Sequence, residues 1–215
     1  MKIGIILAME AEYESIARMD FNFPGKDVVA KVSGIGKVNA AMAAAELIIN
    51  ENPDYIINSG CAGGMLPEQN VADFVIASAT AYHDVWCGKP NQIGQVDGCP
   101  LLFEADPHLL EVAVQLAKAY DHPIHKGLIV TGDQFFISTE EDKRILGVHP
   151  EALAADMESA AIAQVCAAYG KPFISLRVIS DIHTSDKIQK ETYKDFWNKV
   201  EEDRFRFLRE FINKL

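Results

Sequence analysis

Apolar residues follow two rhythms along this chain. Short strand-like runs that are mostly apolar, at Lys2–Leu7, Asp27–Ser33, Tyr55–Ser59, Phe74–Thr80, Gly127–Thr131 and Phe173–Ser180, predict buried strands. Between them the period changes. Ala41, Ala44, Ala45 and Ile48 within Asn39–Ile49, and Leu109, Ala113, Leu116, Ala117 and Tyr120, recur at helical spacing and predict helices that cover a sheet. Ser159–Ala168 is small and apolar almost all round, as expected of a helix buried against the sheet and a further surface. A long C-terminal helix is predicted over Glu191–Leu215, with Trp197, Val200, Leu208, Phe211 and Leu215 on one stripe. Alternating strands and helices without a repeat or linker predict an α/β fold, one domain spanning residues 1–215, with a central twisted mixed sheet flanked by helices. Trp86–Pro100, rich in Gly, Pro and polar residues, is the one long irregular stretch, and such loops are usually functional or packed on a partner.

Composition narrows the function. With 215 residues and 49% hydrophobics the chain can build a substantial core. A net charge of -11 disfavours nucleic acid and anionic membranes, both of which need a basic face. No apolar run reaches the roughly 20 residues that cross a bilayer. The N-terminus passes from Lys2 directly into Met9-Glu10-Ala11-Glu12 and reads as a first strand, so a cytoplasmic location is expected. Cys61, Cys87, Cys99 and Cys166 form no CxxC pair, and His83 and His183 sit in no metal-binding spacing; reduced thiols, no metal and no cofactor are expected.

Candidate chemistry lies where strands run out. Glu12 follows the first strand and Asp181 follows the last, the positions at which parallel sheets bind ligands; Glu158 lies in Asp156-Met157-Glu158-Ser159. Each acid also has a plain structural explanation, since Asp caps helices and acids suit a first helical turn. Arg177, inside an apolar strand, needs a buried partner, and Glu158 is the candidate. Ser33-Gly-Ile-Gly-Lys-Val-Asn39 fits neither a P-loop nor a dinucleotide fingerprint and reads as a tight turn opening a helix, with Ile35 free to face a ligand. Asn58-Ser-Gly-Cys-Ala-Gly-Gly64 offers a backbone that a flat ligand can approach. Gly132-Asp133-Gln134-Phe135-Phe136 offers aromatic faces either for a heterocycle or for the core.

Taken in order, Ala8-Met9-Glu10 with Glu12, Ser33–Val38, Gly60-Cys-Ala-Gly-Gly64, Tyr82-His-Asp84, Gly127–Val130 with Gly132-Asp133, Asp156-Met-Glu158 and Arg177-Val-Ile-Ser-Asp181 resemble the 5′-methylthioadenosine/S-adenosylhomocysteine nucleosidases of the purine nucleoside phosphorylase-like superfamily, over nearly the whole chain. The resemblance implies hydrolysis of the N-glycosidic bond of 5′-thio-substituted adenosines, and of 5′-deoxyadenosine, to adenine and the substituted ribose, by a homodimer. It implies that Glu12 activates water and Asp181 protonates the leaving purine, with Ser180 orienting Asp181. Met157 and Glu158 hold the ribose hydroxyls, and Arg177 supports Glu158. Phe135 stacks on adenine, the backbone of Phe136 reads its edge, Ala62 and Gly63 line the base pocket, and Met9, Ile35 and Tyr193 face the 5′-substituent. Donation by Asp181 near neutral pH requires lifting a carboxyl from about 3.9 by roughly 3 units, about 4 kcal/mol, which demands burial. Phosphate-dependent phosphorolysis and an aminodeoxyfutalosine substrate are the alternatives. Against the first, the segments where phosphorylases carry arginines read Met9–Glu12 and Asn58–Gly60 here. Cys61, Phe136, Tyr193, the short stretch 20–27 and the loop 86–91 depart from the usual family pattern.

Overall fold

The structure, a computed structural model, describes residues 1–17, 23–120, 122–135, 138–182, 196 and 206–215. The chain starts as β1 (Lys2–Leu7), α1 (Glu10–Ala17), β2 (Asp27–Val32), α2 (Lys37–Glu51), β3 (Tyr55–Gly64) and β4 (Phe74–Tyr82). It continues through β5 (Phe103–Glu104), α3 (Pro107–Ala117), β6 (Ile124–Thr131), α4 (Thr139–Val148), β7 (Ala152–Asp156), α5 (Ser159–Tyr169), β8 (Phe173–Ile182) and α6 (Arg206–Lys214). The eight strands form one mixed sheet in the order β2-β1-β3-β7-β6-β4-β5, with β8 paired to both β3 and β4. Parallel pairing dominates, and β3–β7, β4–β5 and β4–β8 are antiparallel.

The pairings β3–β8–β4–β6–β7–β3 close on themselves, so the middle of the sheet is a barrel and its edges are β2 and β5. Small and branched residues suit such an interior. Ala62, Val75, Ala77, Ile129, Ala154 and Ile179 form one buried cluster. A larger cluster holds Ile3, Ile5 and Leu7 of β1 against Leu109 and Ala113 of α3 and Phe207 and Phe211 of α6. On the opposite side, Ala40, Ala44 and Ile48 of α2 pack with Ala160 and Ala163 of α5.

The predicted strands are present, and four of them, β3, β4, β6 and β8, run further than predicted. β3 continues through Gly64, so the glycine-rich segment is strand, and β8 includes Asp181. The buried face of α2 is Ala40, Ala43, Ala44, Leu47 and Ile48, which leaves Ala41 and Ala45 beside an open groove. β5, β7 and α4 are additional to the predicted elements. Of the predicted C-terminal stripe, Leu208 and Phe211 are buried; Trp197 and Val200 lie outside the described residues.

Candidate active site

A pocket of about 600 Å³ opens beyond the ends of β1, β3, β6, β7 and β8. Glu12, Glu158 and Asp181 all line it, and each is at most 4% exposed. The fold therefore brings the three sequence-predicted acids together. Met9, Ile35, Ala62, Gly63, Phe135, Met157 and Ser180 line it as well, and Arg177 lies directly behind it. Phe136 and Tyr193 are outside the described residues.

Glu12 sits in the first turn of α1, where the helix dipole favours an anion, yet its neighbours Glu10 and Glu14 are exposed while it is not. One carboxylate oxygen, Oε2, accepts the N–H groups of Ala8 at 2.8 Å and Met9 at 3.0 Å; Oε1 accepts the Cys61 N–H at 2.9 Å. A carboxylate oxygen has room for a second donor, so Oε1 can still accept one proton from the pocket side. Burial raises the Glu12 pKa, and Arg177 and the three N–H groups oppose that rise. Gly60 makes this approach possible. With φ +152, a Cβ there would collide with Glu12 Oε1 and stand 2.6 Å from Arg177 Nη1. Of the glycines in this segment, Gly60 accommodates the charged pair and Gly63 borders the pocket.

Asp181 reaches the pocket through an irregularity in β8. The parallel register with β3 runs Ala62↔Ile179 and then Gly63↔Asp181, so Ser180 is an extra residue. A bulge of this kind re-aims side chains. Here it lets the adjacent Ser180 and Asp181 both line the pocket, while Ile179 stays in the barrel core. Ser180 Oγ donates to Asp181 Oδ1 at 2.6 Å.

Arg177 is fully buried and serves two carboxylates. Its Nη2 lies 2.8 Å from Asp156 Oδ2 and 3.5 Å from Glu158 Oε2, so Asp156 is the closer partner and the predicted Glu158 contact the longer one. Nη2 also donates to Asn58 Oδ1 at 2.6 Å, and Nη1 to the Cys61 carbonyl at 3.3 Å. Burial lowers the guanidinium pKa, but Asp156, Glu158 and Glu12 more than offset it, so the group stays charged. Asp156 also accepts from Thr131 Oγ1 at 2.6 Å and from the N–H groups of Glu158 and Ser159, which open α5. Glu158 Oε1 takes the Gly36 N–H at 3.0 Å. Burial pushes the Glu158 pKa up to about 7 against the pull of Arg177.

Sequence reasoning missed the site roles of Asn58 and Gln134. Asn58, between Ile57 and Ser59 in the buried run Ile56–Gly60 of β3, carried a usable signal, because a buried amide must be partnered. Its Oδ1 accepts from Arg177, and its Nδ2 donates to the Ile6 carbonyl. Asp133 and Asp84 lie outside the pocket lining, behind its walls. No group of His, Cys, Asp or Glu among the described residues could hold a metal ion.

Among the described lining residues of this pocket four are carboxylates, Glu12, Asp156, Glu158 and Asp181, and none is Lys, Arg or His. Together with the barrel closed by β8, this site defines the class: a model of the phosphorylase superfamily matches residues 2–213. The 5′-methylthioadenosine/S-adenosylhomocysteine nucleosidase of Geobacillus sp. (strain WCH70) is 42% identical over 199 residues, covering 85% of this chain and 86% of that one. The nucleosidase of the same name from Hydrogenovibrio crunogenus is 35% identical over 100% of this chain and 99% of its own. Among solved structures, the Neisseria meningitidis nucleosidase in complex with methylthio-immucillin-A superposes with a TM-score of 0.92 at 34% identity, covering 100% of this chain and 99% of that one. The chain thus belongs, within the phosphorylase superfamily, to the 5′-methylthioadenosine/S-adenosylhomocysteine nucleosidase family.

Proposed function

We propose that residues 1–215 act as one unit that hydrolyses the N-glycosidic bond of 5′-methylthioadenosine and S-adenosylhomocysteine, releasing adenine and the 5-substituted ribose. The observation that carries this is the acidic pocket: among its described lining residues there is no Lys, Arg or His, and Arg177 behind it is already held by Asp156, Glu158 and Asn58. A phosphate nucleophile would meet carboxylates, and like charges repel strongly away from water. A neutral water is not repelled. Glu12 takes a proton from this water as its oxygen attacks C1′. Asp181 gives its proton to purine N7 as the C1′–N9 bond breaks, so neutral adenine leaves. This division between a base on one side of the sugar and an acid on the other matches the paired carboxylates of glycosidases. Burial of Asp181 to 3% exposure supports the acid role, because a solvated carboxyl would be ionised.

The lining supports matching substrate contacts. Glu158 and the Met157 backbone hold the ribose hydroxyls. Phe135, 51% exposed at the mouth, closes over adenine against Ala62 and Gly63. Met9 and Ile35 form an apolar wall suited to a thioether.

A homodimer and a cytoplasmic location complete the proposal. Val38, Met42, Ala45 and Ile49 form a stripe on α2; three of the four are more than 60% exposed, beside a groove lined by Ala161, Val165 and Ala168 of α5. Such a face suits a second copy. No helix among the described residues is long and apolar enough to cross a membrane. The function is tested by incubating the protein with 5′-methylthioadenosine in phosphate-free buffer. Adenine should appear at a rate that added phosphate does not raise; strict dependence on phosphate would reject hydrolysis.

A further inference from the structure

Just outside the pocket, three residues from three separate segments close a ring. Lys37 Nζ, at the start of α2, donates to both carboxylate oxygens of Asp84 at 2.8 Å. Asp84 Oδ2, after β4, accepts the N–H of Asp133 at 2.9 Å. Asp133 Oδ1, after β6, accepts the N–H of Lys37 at 2.8 Å and so returns to the start. The ion pair is sheltered, with side-chain exposures of 22% for Lys37 and 16% for Asp84, and the ammonium lies 5.5 Å from the Tyr82 ring centroid.

The ring joins the two walls of the pocket. On one side, Gly36 precedes Lys37 and donates its N–H to Glu158, while Ile35 lines the cavity. On the other, Gln134 and Phe135 follow Asp133 directly and line the cavity too. Both junctions are tight. A Cβ on Gly36, whose φ is +95, would stand 3.0 Å from Asp133 Oδ1, and a Cβ on Gly132 would collide with the His83 ring and stand 2.9 Å from Asp84 Cγ. The α2 N-terminus has no side-chain cap of its own, so Glu158 and Asp133 supply the acceptors that its free N–H groups need. A shift of Lys37 or Asp84 must therefore move Asp133, and with it the wall that carries Phe135, relative to the wall that carries Glu158.

We infer that Lys37 and Asp84, acting through Asp133, are positioning residues that set the spacing between the base-binding wall at Gln134–Phe135 and the sugar-binding wall at Gly36–Glu158. This rests on the proposed placement of adenine against Phe135 and of ribose against Glu158. None of the three ring residues lines the cavity, so their effect on a ligand is indirect.

The test compares Lys37→Met, Asp84→Asn, Lys37→Arg and Phe135→Ala, using calorimetric binding of adenine and steady-state hydrolysis of 5′-methylthioadenosine. Lys37→Met and Asp84→Asn should each weaken adenine binding about tenfold and raise KM by a similar factor, with kcat within about threefold of wild type. Lys37→Arg should restore most of the binding. In a Phe135→Ala background, Lys37→Met should add less than about twofold, because the wall it positions has lost its contact. Unchanged adenine binding and KM in Lys37→Met would overturn the inference. So would a full tenfold loss that persists in the Phe135→Ala background. Wild-type protein that binds adenine but releases none from 5′-methylthioadenosine would reject the hydrolase instead, leaving the adenine comparison to decide the ring.

Discussion

Replacing Arg177 with Met tests whether one buried cation organises the acidic pocket. The guanidinium is fully buried, with Nη2 2.8 Å from Asp156, 3.5 Å from Glu158 and 2.6 Å from Asn58 Oδ1. Removing one partner from a buried ion pair costs about 3–5 kcal/mol, because the remaining charge is stranded. Asp156 keeps Thr131 Oγ1, Ser159 Oγ and two backbone N–H groups, so much of its charge stays supported. Glu158 keeps the Gly36 N–H among its hydrogen bonds but loses its cation. The low end, about 3 kcal/mol at pH 8, is the expected loss.

The loss should depend on pH. Burial already raises the Glu158 pKa in the folded state, and without Arg177 it rises further, while the unfolded value stays near the ordinary 4.5. The folded variant then binds more protons than the unfolded chain, so its stability falls as pH rises across that window. Urea denaturation of wild type and variant at one protein concentration, at pH 5.5 and pH 8, should show a deficit that grows toward pH 8. A deficit below about 1 kcal/mol, or an equal one at both pH values, would mean that lost packing volume matters and charge pairing does not.

Three further outcomes follow from the same geometry. The value of kcat/KM for 5′-methylthioadenosine should fall as pH drops through about 7, where Glu158 takes up a proton and can no longer accept from both ribose hydroxyls; Glu158→Gln should abolish that limb, and an unmoved limb would assign it to another group. Gly60→Ala should lower kcat/KM by about 100-fold, because the new methyl displaces Glu12 and Arg177. Gly147→Ala, where nothing lies within 4 Å of the added carbon, should leave activity intact; equal effects in assay would refute the steric account. Asp181→Asn should cut kcat by roughly 10²- to 10⁴-fold while substrate still binds, and near-normal turnover would remove Asp181 as the acid.

What could be seen in the sequence, and what could not, follows from which residues carry long-range information. Strands such as Lys2–Leu7 and Phe173–Ser180 are legible because most of their positions are apolar. β7 escapes because Ala152-Leu-Ala-Ala-Asp156 has neither alternation nor β-branched residues; it becomes a strand by filling the barrel between β3 and β6. Half of α4 is charged, with Asp142 and Ile145 its buried residues, yet Ser138-Thr-Glu-Glu141 is a capping-box signature that could have marked its start. The antiparallel pairings that close the barrel join residues far apart in sequence and leave no local trace. The acids were legible as an ordered set. Their geometry was not, because the bulge at Ser180 and the close approach at Gly60 are properties of β8 and Glu12 meeting β3. The pairing of Arg177 was half legible: a charge in an apolar strand announces a partner, but Asp156 and Asn58 emerge as the closer ones only when the strands are side by side.

The central claim is that water, and not phosphate, attacks the sugar. A single turnover of 5′-methylthioadenosine in oxygen-18 water containing phosphate, with mass analysis of the sugar product, tests it directly. The account predicts one oxygen-18 in free methylthioribose at C1 and an equal amount of adenine. Methylthioribose 1-phosphate, or adenine release only when phosphate is present, would contradict it.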